Sequence, residues 1–169
     1  MAMPIPLAQI ALFAAAFLVS AGLAPAQDQP PKAVSAEVKE ELKTLEGTWE
    51  PTRYTTGGQS TAAEILAEIR RVAEGDFVYW TRKGKRFAGT HVTLDPSRKL
   101  KTIDVVADGG KFRDKVVQGI YKLDGDELTI CMAAPDGTRP DSFEAEAGDG
   151  RTLMVFRKAT PEPEAPKKP

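Results

Sequence analysis

The residues able to carry out chemistry are few. The chain has one histidine, His91, and one cysteine, Cys131. A Ser-His-Asp or Cys-His nucleophilic arrangement would have to draw on that single imidazole. It stands in Thr90-His91-Val92, inside an alternating run with no nucleophile-elbow sequence around it. That context predicts a partly buried strand histidine with one hydrogen-bond partner. Cys131, in Leu128-Thr129-Ile130-Cys131-Met132, reads as a small buried hydrophobe. An unpaired thiol in an exported chain could also form an intermolecular disulfide. Metal binding needs clustered His, Cys or carboxylate ligands, and one His and one Cys far apart in sequence do not supply them. Asp104, Asp108, Asp124 and Asp126 lack the order of a calcium loop. Glu127 belongs to a strand, and Glu144 and Glu146 to a loop, so no pair of acids is aimed into one cleft. Gly57-Gly58 and Gly109-Gly110 are turns, not phosphate loops framed by a strand and a helix. No catalytic residue, metal ligand or cofactor is therefore assigned, and the expectation is a non-catalytic protein.

Aromatic residues are the remaining candidates. Phe77, Tyr79, Trp80 and Phe87 fall close together, and with Lys83-Gly84 as a hairpin loop Trp80 faces Phe87. Such a pair either fills a core or lines a cavity. The second case predicts a barrel interior left partly open and lined by Trp80, Phe87, Tyr121 and Met132, holding a small apolar molecule.

The elements that would position these residues are organised around Gly119–Cys131. Two β-type runs flank Asp124-Gly125, a dipeptide suited to a type I′ turn because both central residues need positive φ. With that loop, Lys122 faces Glu127, Tyr121 faces Leu128, Gly119 faces Ile130 and Val117 faces Met132. Alternation then gathers Val117, Tyr121, Leu128, Ile130 and Met132 on one apolar face, and Cys131 on the other.

Elsewhere, Ser35 is an expected N-cap, with Val38, Leu42 and Leu45 at helical spacing over 36–45. Strands are expected at 48–54, 77–82, 86–94, 101–106 and 151–158, with a short one at 142–145. A second helix is expected at 61–69. Residues 69–74 fit a helix end or a strand. About eight or nine short strands joined by tight turns predict a mainly β protein, an antiparallel meander closing into a barrel, with two short helices.

The chain has 169 residues and a formal charge of −1, a balance that favours neither nucleic acid nor an anionic membrane. Ile10–Ala24 is apolar, and Ala24-Pro25-Ala26 fits a small-x-small cleavage site, so 1–26 reads as a signal peptide. An uncleaved anchor is the alternative, but the apolar run is short for a membrane span. The expected address is periplasmic or extracellular, with no stable membrane span after cleavage. The expected organisation is signal peptide 1–26, polar spacer 27–35, barrel domain 36–158, and a Pro/Glu/Lys-rich disordered tail 159–169.

Gly47-Thr48-Trp49 at the start of the first strand, with Arg157 near the end of the last, resembles the calycin signature of lipocalins. That resemblance implies a Trp49 plug at the closed end of the barrel, with the Arg157 guanidinium stacked on the indole. A closer resemblance is to a family of exported, lipocalin-like bacterial domains of unknown function, abundant in planctomycetes. It is carried by Leu45–Trp49, Leu94-Asp95-Pro96, Lys101–Asp104, Gly119–Asp126, Leu128–Cys131 and Arg139-Pro140. It implies a lipocalin-like fold over roughly 42–158 and brings no activity with it. The expected function is an exported, non-catalytic protein that binds a small ligand or acts as a binding module of unknown specificity, its partner a small apolar ligand or an envelope protein. The alternatives are a protein-interaction module, such as an inhibitor or envelope scaffold, using strand edges or the loops at 107–114 and 134–141, and, more remotely, an enzyme.

Overall fold

The computed structural model describes residues 34–110, 113 and 115–160. The expected signal segment, most of the spacer and residues 161–169 of the tail lie outside the described residues. In chain order the elements are α1 (Ala36–Leu45), β1 (Gly47–Thr56), β2 (Gln59–Ser60), α2 (Ala63–Ala67), β3 (Ile69–Glu74), β4 (Phe77–Arg82), β5 (Lys85–Asp95), β6 (Thr102–Ala107), β7 (Val116–Asp124), β8 (Glu127–Met132) and β9 (Thr152–Lys158). From β3 onward each strand pairs with the next, β1 pairs with β3, and β9 returns to β1. All of these pairings are antiparallel. Eight strands thus close into an up-and-down, lipocalin-like barrel, and β2 adds a two-residue strand to the edge of β1. Closure leaves no open edge along the barrel wall. The β1–β9 seam shifts register between Pro51 and Arg53. A proline has no N–H to give the ladder, which is why strands accommodate it at such irregularities.

α1 begins where expected. The Ser35 hydroxyl accepts the Val38 N–H at 3.2 Å, a standard N-cap bond. Val38, Leu42 and Leu45 pack on the barrel core, so the helix covers one end of it. The second helix is shorter than the 61–69 expected, because the chain turns into β3 at Ile69, and 69–74 is strand throughout. No strand forms at 142–145; that stretch lies in the long β8–β9 connection.

Two hairpins depart from the sequence expectation. In β7–β8 the paired residues nearest the turn are Asp124 and Glu127, so the loop is Gly125-Asp126 rather than Asp124-Gly125. Gly125 takes φ +57° while Asp126 does not take positive φ, the pattern of a type II′ turn with glycine at its first central position. Lys122 consequently faces Thr129, and Tyr121 faces Ile130. Moving the turn by one residue shifts every cross-strand partner by two, so each side chain keeps its expected face. In β4–β5, Lys83-Gly84 is indeed the loop, with φ +50° and +73°. A register shift at Trp80/Thr81 then sets Trp80 opposite Ala88, not Phe87. Phe87 is the extra residue of that bulge and is 60% exposed.

The core fills the barrel from the α1 end. Trp49, Leu128 and Phe156 are wholly buried, and Ile103, Tyr121 and Val78 nearly so. A second apolar layer lies on the outside of the wall, where Ile120, Cys131 and Leu153 are covered by Phe143 and Ala145 of the β8–β9 connection. Arg139 pins that connection down. Its Nη1 donates to the Gly119 carbonyl at 2.6 Å, and its Nη2 lies 2.7 Å from Asp104 Oδ1. The latter is an ion pair by distance, with an angle too poor for a hydrogen bond.

Candidate functional site

The end of the barrel under α1 is sealed by side chains. Trp49 Nε1 donates to the Leu45 carbonyl at 2.9 Å, tying the first strand to the helix it leaves. Gly47, at φ +109°, makes the sharp handover between the two. The cation over the indole belongs to Lys158, whose Nζ lies 5.3 Å from the ring centroid and also reaches the Thr44 carbonyl. Arg157, expected in that role, is exposed on the outer face. It pairs across the ladders with Glu50 and Glu127, one register position away from Trp49. Also under α1, Tyr121 donates its hydroxyl to Glu41 Oε1 at 3.0 Å, and Lys101 Nζ donates to the same oxygen at 2.7 Å. Tyr121 is 1% exposed, and burial, followed by the Glu41 carboxylate, pushes its phenol well above the ordinary value. Tyr121 therefore fastens the closed end and does not line a ligand chamber.

Toward the opposite end the core is not filled. A cavity of about 250 Å³ lies inside the barrel, bordered by Val78, Trp80, Thr90, Val92, Ile103, Val105, Val117, Ile130, Met132 and Met154, with Ala107, Lys115 and Pro135 toward the far ends of the strands. Alternation along the strands places these residues, since β5 sends Thr90 and Val92 inward and β6 sends Ile103 and Val105. Of the four aromatic and sulfur residues expected in a chamber, Trp80 and Met132 line it. Phe87 borders a separate cleft on the other side of Trp80 and Met154, formed with Tyr54, Leu66 and Ile69. Gly119 is also required here. It sits opposite Met132, and a Cβ at this position would run into the Met132 sulfur and lie 2.8 Å from the Cys131 carbonyl oxygen.

Besides Lys115 toward the far ends of the strands, Arg71 borders this apolar space. Arg71 lies on the inward face of β3, between Trp49 of β1 and Trp80 of β4. It is 2% exposed and has no hydrogen bond or ion pair with any described residue, and its Nη1 is buried without a partner. Among the described residues its guanidinium lies over the Phe156 ring, 5.8 Å from the centroid. Burial lowers the guanidinium from its ordinary value to about 10, which leaves it cationic at neutral pH. An unpaired buried cation costs stability, and among the described residues the Phe156 ring offsets only part of that cost.

The sequence did not single out Arg71, although the signal is present. In Ile69-Arg70-Arg71-Val72-Ala73, alternation puts Ile69, Arg71 and Ala73 on one face, an arginine among apolar residues. Only reading 69–74 as a strand exposes that pattern.

The nucleophile candidates lie elsewhere. His91 is on the outer face of β5, exposed, with Nδ1 3.5 Å from Asp76 Oδ2 and its ring against Phe77. It is thus more open than the partly buried histidine expected. Phe77 and Tyr79 also face outward, stacked under the Arg86 guanidinium at 4.7 and 5.4 Å, with Arg86 held by Asp108 at 3.1 Å. Cys131 lies under the β8–β9 connection with Sγ 3.3 Å from the Glu144 carbonyl, and burial raises its thiol pKa. Among the described residues, no group of three His, Cys, Asp or Glu side chains could hold a metal ion. No family model, curated protein or solved structure matches the chain.

Proposed function

We propose that this protein is a non-catalytic, exported binder of a small, largely apolar molecule held inside the barrel. The observation that carries the reading is the cavity of about 250 Å³ whose wall is built from inward-facing Val, Ile, Met and Trp side chains. A cavity of 150 Å³ lined by apolar residues accepts benzene, so this one has room for roughly ten non-hydrogen atoms. Its position supports the reading too. One end of the barrel is sealed by α1, Trp49 and the Glu41–Tyr121 bond, which commits entry to the other end. His91 and Cys131 both lie outside the wall, on different strands, and neither faces the chamber. Export and membership of the lipocalin-like family rest on the sequence features already given and are part of the same proposal. Docking of a protein through the 134–141 loop has less support, since Arg139 commits that loop to the barrel surface.

Titration calorimetry with 1-octanol, a neutral probe of suitable size, tests the reading. The protein is expected to bind it saturably at one site, and Val117→Phe, which places a ring in the cavity, is expected to remove that binding while the barrel stays folded. Absence of saturable binding by the unaltered protein, or equal binding by Val117→Phe, would refute it.

A further inference from the structure

Resting on that reading, we propose that the ligand is an apolar monoanion, a compact carboxylate or its chemical equivalent, whose charged group pairs with Arg71 while its hydrocarbon fills the chamber. Two independent observations meet here. The chamber is apolar and of a size for about ten non-hydrogen atoms. The one fully buried cation of the inward face borders it, with Nη1 buried and no partner among the described residues.

A solitary guanidinium is an unusual thing to place inside a barrel, because buried charges are otherwise paired. Arg71 differs in this from the other buried or half-buried basic groups. Arg139 has Asp104 and two backbone carbonyls, and Lys101 has Glu41. A carboxylate presents two oxygens to the planar fork of an arginine and would supply what the wall lacks. The neighbouring aromatic rings, Trp80 and Phe156, keep water from screening the pair, so its attraction acts at low dielectric. A dianion such as a phosphate monoester fits less well, since Arg71 is the one buried basic side chain among the described residues. Lys115, which also borders the chamber, is engaged by Asp136.

Octanoate and 1-octanol, matched in chain length and differing in charge, separate this inference from the reading beneath it. In calorimetry on the intact protein, octanoate is expected to bind at least tenfold more tightly than octanol. Arg71→Met is expected to abolish that preference while still binding octanol, and Arg71→Lys to keep part of it. In thermal unfolding, octanoate should raise the midpoint of the unaltered protein and not that of Arg71→Met. Octanol binding without any preference for octanoate would overturn the anionic ligand and leave the apolar chamber standing. Failure of both probes would overturn both. Should Arg71→Met fail to fold, the preference of the unaltered protein for octanoate still decides, and its absence would contradict the inference. A merely structural Arg71 would also show itself, through a lower midpoint of ligand-free Arg71→Met with octanoate affinity unchanged.

Discussion

At the scale of single residues, the barrel interior uses buried polar chemistry in two opposite ways. Tyr121, Glu41 and Lys101 satisfy one another, and the result is a fixed seal. Removing the hydroxyl in Tyr121→Phe leaves Glu41 with Lys101 alone, and urea unfolding should show a loss of about 1 kcal/mol. The same pair sets an alkaline limit. The phenol is held protonated in the folded state above its ordinary value of 10.0, so its contribution is complete below pH 10 and lost as pH rises further. Unfolding midpoints measured from pH 8 upward should therefore fall above pH 10, and fall less steeply in Tyr121→Phe. Arg71 is the contrary case, a charge whose partner no described residue supplies. In the ligand-free protein Arg71→Met should be as stable as the original or more stable by about 1 kcal/mol or more, because an apolar side chain of similar length relieves the buried charge.

At the scale of elements, strand faces were easier to read than strand edges and turns. The inward stripe of β7 and β8 follows from alternation alone, and it survived a displaced turn because a one-residue change in loop position moves partners by two. Asp124-Gly125 and Gly125-Asp126 both suit a two-residue loop, and only φ decides between them. Gly125→Ala should cost about 1–2 kcal/mol, while Asp126→Ala should cost little, as judged by denaturant midpoints. The bulge that expels Phe87 was not legible, since an extra residue in a ladder answers to the curvature of the closed wall and not to local sequence. β3 was obscured for another reason. It is six residues long, carries two arginines and follows a helix, so its period is too short to stand out. The β8–β9 connection gives a further test of element-level order. Arg139→Ala removes its charged anchor, and should cost about 2 kcal/mol and open the route to Cys131. Thiol labelling in native buffer should be slow in the unaltered protein and clearly faster in Arg139→Ala.

At the scale of the whole molecule, a closed eight-stranded wall, one capped end and an incompletely filled interior together make a chamber. The barrel itself was legible because each strand announces its faces and each tight turn its neighbour. Whether the interior is filled was not, because that depends on volumes meeting across strands far apart in sequence, such as Val78, Ile103 and Met154. The proposed ligand class depends on β3, a stretch that the sequence left open between a helix end and a strand. Met132 and Met154 provide the most direct probe, since both line the chamber. With the methionine methyls labelled with ¹³C, octanoate should shift the Met132 and Met154 signals together, along one saturation curve that matches the calorimetric affinity. If both signals stay in place at octanoate concentrations that saturate any heat of binding, the barrel interior is not the site.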